Sequence, residues 1–311
     1  MRVLFAGTPP LAVPSLEALA GSSHEVAGVL TAPDRPSGRG RTVRSSAVKQ
    51  RAEELRLPVL SPERLGSQAR MEVEALEPEL LACFAYGRIF GPRFLALFES
   101  GGVNVHPSLL PRHRGPTPIP AAILCGDAET GVTIQSVSRE VDAGDIYLQE
   151  RMVLTGEETS ESLAQALAPL GARMLVDVID AIDSGTARAV AQDHARATHT
   201  RVVRKEDGRI DWSLPAVQID RMVRAYTPWP RAYTSLRGEH LAILACEPLS
   251  LAGGSPPGTV VRVDTSRGIL VETGNGLLAL RKLQLQSRKP LEWRSFLNGA
   301  PDMLGLVLGG S

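Results

Sequence analysis

Apolar positions along this chain follow two rhythms. In the first half, short unbroken apolar runs alternate with stretches whose apolar residues recur three and four apart. RVLFAG (2–7), EVAGVLT (25–31), ELLACFA (79–85) and GVNVH (102–106) are runs of the first kind and predict strands buried on both faces. VPSLEALAG (13–21), closed by Gly21, SSAVKQRAEEL (45–55), capped by Ser45 or Ser46, and PRFLALF (92–98) predict helices. LPVL (57–60) reads as a short extended piece. Strands alternating with helices predict an α/β fold, a Rossmann-like, doubly wound, mostly parallel sheet. GVTIQSVS (131–138) and IYLQERMVL (146–154) predict a later hairpin-like pair. A long helix is expected from Ser160 to Asp183, with Leu163, Leu167, Leu170, Val178, Ile179 and Ile182 on one side, a kink at Pro169 and an end at Gly185.

After that helix the rhythm breaks. Residues 186–209 are polar and aperiodic, which suits a linker. A short helix, PAVQIDRMVRA (215–225), is followed by EHLAILACEPL (239–249), GTVVRVDT (258–265), GILVET (268–273) and LLALRKLQLQ (277–286). The GNG between the last two is a hairpin signal. This half predicts a small C-terminal all-β, OB-like barrel. The expected division is a first domain over 1–188, a linker over 189–206 and a β domain over 207–311. That length accommodates two domains with cores of their own.

Composition narrows the picture by exclusion. Lys+Arg and Asp+Glu are both 34, so any basic surface for a polyanion must be local. Cys83, Cys125 and Cys246 are three and far apart, which predicts neither a disulfide framework nor a metal cluster. The N-terminus enters a strand directly, with no signal-peptide pattern, and no apolar run looks long enough to span a bilayer. A cytoplasmic protein with no membrane partner is expected.

Chemistry concentrates at NVHPSLLPRHR (104–114). On a strand Asn104 and His106 point the same way, at the C-terminal end where open α/β sheets bind ligands. An amide can donate to a developing oxyanion, and an imidazole can donate or move a proton near neutral pH. Asp142, in EVDAGD (140–145), is the candidate carboxylate to orient His106 and raise its pKa. The three suit acyl-type transfer without a covalent intermediate, since no G-x-S-x-G elbow or paired catalytic cysteine is present. Each has a plainer reading: Asn104 and His106 as a satisfied polar pair, Asp142 as a turn residue. The loop SLLPRHRGPTPIP (108–120) is expected to be non-helical, with prolines and glycine fixing its shape. FAGTPP (5–10) has one glycine where a dinucleotide loop has three, so a tight turn is favoured. His24, His113, His194, His199 and His240 lack metal spacing and read as surface or capping residues.

These stretches resemble a known family. NVHPSLLPRHRG (104–115) followed by GVTIQSVSREVDAGD (131–145) resembles the signature of the folate-dependent formyltransferases. FAGTP (5–9), LTAPDRPSGRG (30–40), FAYGRI (84–89), DGRIDW (207–212) and RAYTPWPRAYT (224–234) resemble the branch whose acceptor is methionyl-tRNA. The resemblance runs almost end to end. It implies 10-formyltetrahydrofolate as formyl donor, the α-amino group of methionine on initiator tRNA as acceptor, no metal, and a monomer. It implies that Asn104 and His106 stabilise the tetrahedral oxyanion, that His106 helps protonate the departing folate nitrogen, and that Asp142 orients and charges His106. It also implies a pterin held around Ala85, Tyr86, Gly87, Ile89, Ser108, Leu109, Leu110 and Pro111. The chain departs from the family pattern at Pro10-Leu11, Phe90-Gly91, Pro116, Thr117 and Pro120.

Basic residues fall in three places. Arg35, Arg39, Arg41, Arg44 and Lys49 lie on or beside a Gly- and Pro-containing insertion after the second strand, expected to be mobile and not helical. Arg204 and Lys205, with Arg196 and Arg201, lie in the linker, and Arg281, Lys282, Arg288 and Lys289 in the β domain. As tRNA contacts they would supply phosphate affinity, with Arg39 the main one in its loop. Their plainer reading is a solvated surface. The rival functions are formyl transfer to a small amine and RNA binding without catalysis.

Overall fold

The structure is a computed structural model describing residues 1–37, 42–251 and 253–310. It divides into two compact units. One holds Met1–Pro118, Glu129–Val153 and Leu163–Arg201; the other holds Ile119–Ala128, Leu154–Ser162 and Val202–Ser311.

The first unit is built on a seven-stranded sheet, ordered Val59–Leu60, Glu25–Leu30, Arg2–Gly7, Leu80–Phe84, Gly102–His106, Glu129–Ser136, Ile146–Val153. The first five are mutually parallel and the last two antiparallel. The parallel strands are largely apolar and buried. Leu4, Leu30, Leu81, Val103 and Val105 are all buried. From Arg2–Gly7 the chain builds outward to one edge, then returns to build the other half from Leu80–Phe84. The order therefore reverses between these two central strands, and ligands bind such sheets outside the carboxyl ends at that reversal.

The long helix spans Ser160–Asp183 as expected, with Gly185 beyond it at φ +71°. Its core side is shifted from the expected one. Gly171, Met174 and Leu175 join Leu163, Leu167, Val178 and Ile179 in the core, while Leu170 and Ile182 are only half-buried. Gly171 is where it meets the sheet: a Cβ there would lie 2.8 Å from Val105 Cγ1. This helix is also long and apolar enough to cross a membrane, contrary to the sequence expectation. Length and composition do not separate a span from a core helix, and half of its apolar window is buried within the protein.

Among the described residues several elements went unanticipated, including the helix Trp293–Leu297 and the three that follow. Ser67–Glu74 is a helix with a weak apolar stripe, burying only Ala69 and Val73. Ala232–Leu236 is a strand. Pro118–Cys125 is a helix whose first turn contains Pro118 and Pro120, so residues 118–120 are not loop. Proline in the first helical turn removes N–H groups that have no intrahelical partner anyway.

The second unit carries a six-stranded, wholly antiparallel sheet, with Ala232–Leu236, Glu239–Leu249, Leu277–Leu285, Gly268–Glu272 and Val260–Asp264 in order and Leu291–Glu292 paired to Leu277–Leu285. The helix Ala216–Ala225 buries Ile219, Met222 and Val223.

Candidate active site

The strand Gly102–His106 presents two chemically different faces. Val103 and Val105 turn to the covering helix. Asn104 and His106 turn the other way. In register, Asn104 sits between Cys83 on one neighbouring strand and Gln135 on the other, and His106 opposite Thr133. A polar row thus crosses the sheet at its carboxyl edge.

His106 is buried, and its Nε2 lies 3.0 Å from the His113 carbonyl oxygen. A carbonyl only accepts, so Nε2 carries the hydrogen and Nδ1 is left as the acceptor of the neutral ring. Nδ1 faces Asp142, at 3.6 Å from Oδ2. Asp142 sits in the turn after the strand Glu129–Ser136 at φ +53°, a left-handed conformation costly for a non-glycine residue. Its carboxylate accepts from the Gly115 N–H at 2.7 Å and from Gln135 Nε2 at 3.0 Å. Asn104 is half-buried, and among the described residues none hydrogen-bonds its amide.

Burial lowers the His106 pKa, and this outweighs the opposing pull of Asp142 and of the His113 carbonyl. Asp142 does pull the pKa up, as expected of a nearby carboxylate, but the net direction is down because desolvation is the larger effect at a buried site. Cys83, beside Asn104, is held as a thiol: burial pushes it up to about 12. A buried thiol that does not ionise is no nucleophile.

Around this row the backbone is unusually constrained. Ala85 (φ +51°) and His113 (φ +59°) join Asp142 in left-handed conformations. Of the proposed pterin residues, Ala85, Gly87 and Ile89 are exposed, Ile89 at 75%, while Tyr86, Ser108 and Leu110 are buried. Instead of a tight turn, FAGTPP ends the strand Arg2–Gly7 and passes through Thr8 and Pro9 into the short 3-10 helix Pro10–Ala12, and Thr8 Oγ1 donates to the Tyr86 carbonyl at 3.2 Å. The SLLP segment is braced from within. Thr133 Oγ1 donates to the Ser108 carbonyl (2.7 Å) and accepts from the Leu110 N–H (3.2 Å), and Gln149 Nε2 donates to the Leu110 carbonyl (3.0 Å).

Sequence reasoning missed Thr133, Gln149, Gln135, Gln192 and Arg114. Gln135 carried a signal, an amide two residues beyond Thr133 and so on the same face of its strand. Gln192 carried none, lying in an aperiodic polar stretch. His24 and His113 were misread as surface or capping residues. Both are buried, His24 with its Nε2 2.9 Å from Asp180 Oδ1 and His113 with its carbonyl on His106. A histidine's burial depends on tertiary partners that spacing does not reveal. Among the described residues no cluster of His, Cys, Asp or Glu is arranged to hold a metal ion.

The basic residues divide. Arg35 pairs with Glu63 (2.6 Å), Lys49 with Asp34 (2.8 Å), Lys282 with Glu292 (3.6 Å) and Arg281 with Glu247. Arg44, Arg204, Lys205, Arg288 and Lys289 are exposed. Arg35–Ser37 and Thr42–Arg44 form a short antiparallel pair, while Arg39 and Arg41 lie outside the described residues.

An amide, an imidazole and a carboxylate thus gather at the carboxyl ends of the strands of a doubly wound sheet, one strand along from its reversal point and beside a thiol that stays protonated, a set of groups able to move protons and stabilise an oxyanion. Known proteins narrow that chemistry. The formyl transferase family matches residues 1–179, and the formyl transferase C-terminal domain matches residues 202–301. The chain is 48% identical over 320 residues to the methionyl-tRNA formyltransferase of Treponema pallidum, covering 99% of both. It is 45% identical over 317 residues to that of Treponema denticola, covering 98% of both. Among solved structures it resembles HypX from Aquifex aeolicus in complex with tetrahydrofolic acid, with TM-score 0.63 and 16% identity over 98% of this chain, which spans about half (48%) of HypX. The chain belongs to the formyl transferase family.

Proposed function

We propose that this chain transfers the formyl group of 10-formyltetrahydrofolate to the α-amino group of methionine on initiator tRNA, giving N-formylmethionyl-tRNA. The observation that carries the reading is its near-full-length relation, at 48% identity, to a methionyl-tRNA formyltransferase. The site supplies the chemistry. The neutral amine attacks the formyl carbon, and the tetrahedral oxyanion accepts a hydrogen bond from the Asn104 amide. His106 Nδ1 takes the proton that the attacking nitrogen sheds. The imidazolium so formed lies between the Asp142 carboxylate and the His113 carbonyl, both of which stabilise positive charge. It returns the proton to the folate nitrogen as the carbon–nitrogen bond to the donor breaks. General acid–base catalysis of this kind contributes about 100- to 10,000-fold, and one oxyanion donor about 100- to 1000-fold.

On this reading Ala85, Tyr86, Gly87, Ile89 and Ser108–Pro111 line the folate site, and the exposed Ile89 offers apolar surface for a flat ring. The tRNA is held by phosphate contacts from the exposed cations Arg44, Arg204, Lys205, Arg288 and Lys289, with Arg39 and Arg41. The catalytic domain would run over 1–188, the linker over 189–206 and the RNA-binding domain over 207–311. The chain would act in the cytoplasm as a monomer.

The test is an assay of formyl transfer from 10-formyltetrahydrofolate, with charged initiator tRNA, an amino-sugar nucleotide and a glycinamide as alternative acceptors. Transfer to the tRNA alone is expected. Preference for either small amine would reassign the acceptor.

A further inference from the structure

Asp142 is held by side chains that no motif singled out. The hydrogen bonds form one directed path. Arg114 donates to Gln192 Oε1 from Nε (3.1 Å) and from an Nη (2.7 Å). Gln192 Nε2 donates to Gln135 Oε1 (3.2 Å), and Gln135 Nε2 donates to Asp142 Oδ1 (3.0 Å). The two ends fix the direction of everything between them. A carboxylate only accepts, so Gln135 must present its NH2 to Asp142 and its oxygen to Gln192. A guanidinium only donates, so Gln192 must present its oxygen to Arg114 and its NH2 inward. The path therefore runs from a buried cation to a carboxylate with no orientation left open. Arg114 and the two intervening amides are buried: Arg114 4%, Gln135 1% and Gln192 5% exposed.

Gln192 does more than pass the bond along. Its NH2 also lies 3.0 Å from the Asp142 carbonyl and 2.6 Å from the Gly144 carbonyl. It thus grips the backbone of the very turn in which Asp142 adopts φ +53°. A strained non-glycine conformation persists only where its surroundings over-determine it, and here an amide from fifty residues further along the chain does so.

We propose that Gln192 is a positioning residue for formyl transfer, acting through Gln135 and the 142–144 turn to aim the Asp142 carboxylate at His106. The inference rests on the reading of Asp142 as part of the catalytic group. Gln192 touches no reacting atom. Severing the path leaves the Gly115 N–H, on Oδ2, as the carboxylate's remaining hydrogen-bond donor and loosens its aim at Nδ1. The loss falls on the chemical step and leaves the binding of both substrates alone.

The experiment uses Gln192→Leu and Gln192→Glu, each made in the wild-type chain and in Asp142→Asn. Gln192→Glu keeps the oxygens that engage Arg114, so it holds the outer end of the network while losing every inward donor. Steady-state formylation is measured for both substrates, with thermal unfolding alongside. Turnover is expected to fall by about tenfold or more in both variants, with KM for folate and for tRNA changing by less than about twofold; in Asp142→Asn the further loss should shrink to within about twofold, as for residues acting as one unit. Gln135→Met cuts the same path one step nearer the carboxylate and should show the same pattern. Full turnover in the Gln192 variants, with Asp142→Asn crippled, would overturn the relay and leave Asp142 in its role. An equal loss in both backgrounds would also overturn it, because a general structural role does not depend on Asp142. Full turnover in Asp142→Asn would remove the relay and the catalytic reading together.

Discussion

At the scale of single residues, His106 is where competing effects decide the chemistry. Desolvation lowers its pKa, and Asp142 and the His113 carbonyl raise it, with desolvation winning. The resting imidazole is therefore neutral at pH 7 and can accept a proton from an attacking amine. Single-turnover formylation should rise with pH through an inflection below the ordinary histidine value of 6.5 and level off above it. In Asp142→Asn one of the effects raising the pKa is gone, so the inflection of the residual activity should move to lower pH. A shift to higher pH would show that Asp142 does not act on His106. The same depression bears on stability. The unfolded state takes up a proton near pH 6.5 that the folded state refuses, so folding free energy is lost as pH falls from there to the lower folded value.

At the scale of elements, the site depends on a turn closing tightly against a strand. Asp145 N–H donates to Ser136 Oγ (2.9 Å), and Ser136 N–H donates to the Asp145 carbonyl (2.8 Å). Gly144 lies in that clasp, and a Cβ there would fall 1.9 Å from the Ser136 carbonyl oxygen. Gly144→Ala should push the turn off the strand and displace Asp142. The expected result is a fall in turnover of about tenfold or more, since small misplacement of catalytic groups is costly, with the sheet intact by circular dichroism. Wild-type turnover in this variant would show that the turn's closeness is not needed. Elements of this kind also mark how far the sequence could be read. GVNVH was legible as a strand, and alternation alone put Asn104 and His106 on one face. EVDAGD was legible as a turn carrying a carboxylate. The left-handed backbones of Ala85, His113 and Asp142 were not, because no glycine announced them. Gln192 was not, because its importance lies in hydrogen bonds to residues about fifty and eighty positions away. Helix Pro118–Cys125 was hidden by prolines that signal a loop in most settings and a helix start in this one.

At the scale of the whole molecule, zero net charge means that RNA affinity must come from particular exposed cations. Arg288 and Lys289 are exposed, whereas Arg281 and Lys282 already lie against Glu247 and Glu292. Arg288→Ala and Lys289→Ala should each lower the log-log salt slope for charged tRNA by about 0.7 to 0.9 and leave the folate KM alone. Arg281→Ala and Lys282→Ala should change it less, because their carboxylate partners already offset their charge. The reverse ranking, measured as the tRNA constant at several salt concentrations, would move the RNA contact to the paired cations.

His106, with Asn104 and Asp142, is proposed to carry formyl transfer without a covalent intermediate. Single-turnover transfer to charged initiator tRNA by His106→Ala, with folding checked by circular dichroism, tests it most directly. A folded protein whose rate has dropped by about 100-fold or more is expected. A rate within about tenfold of wild type, below the range typical for losing a general acid or base, would contradict it.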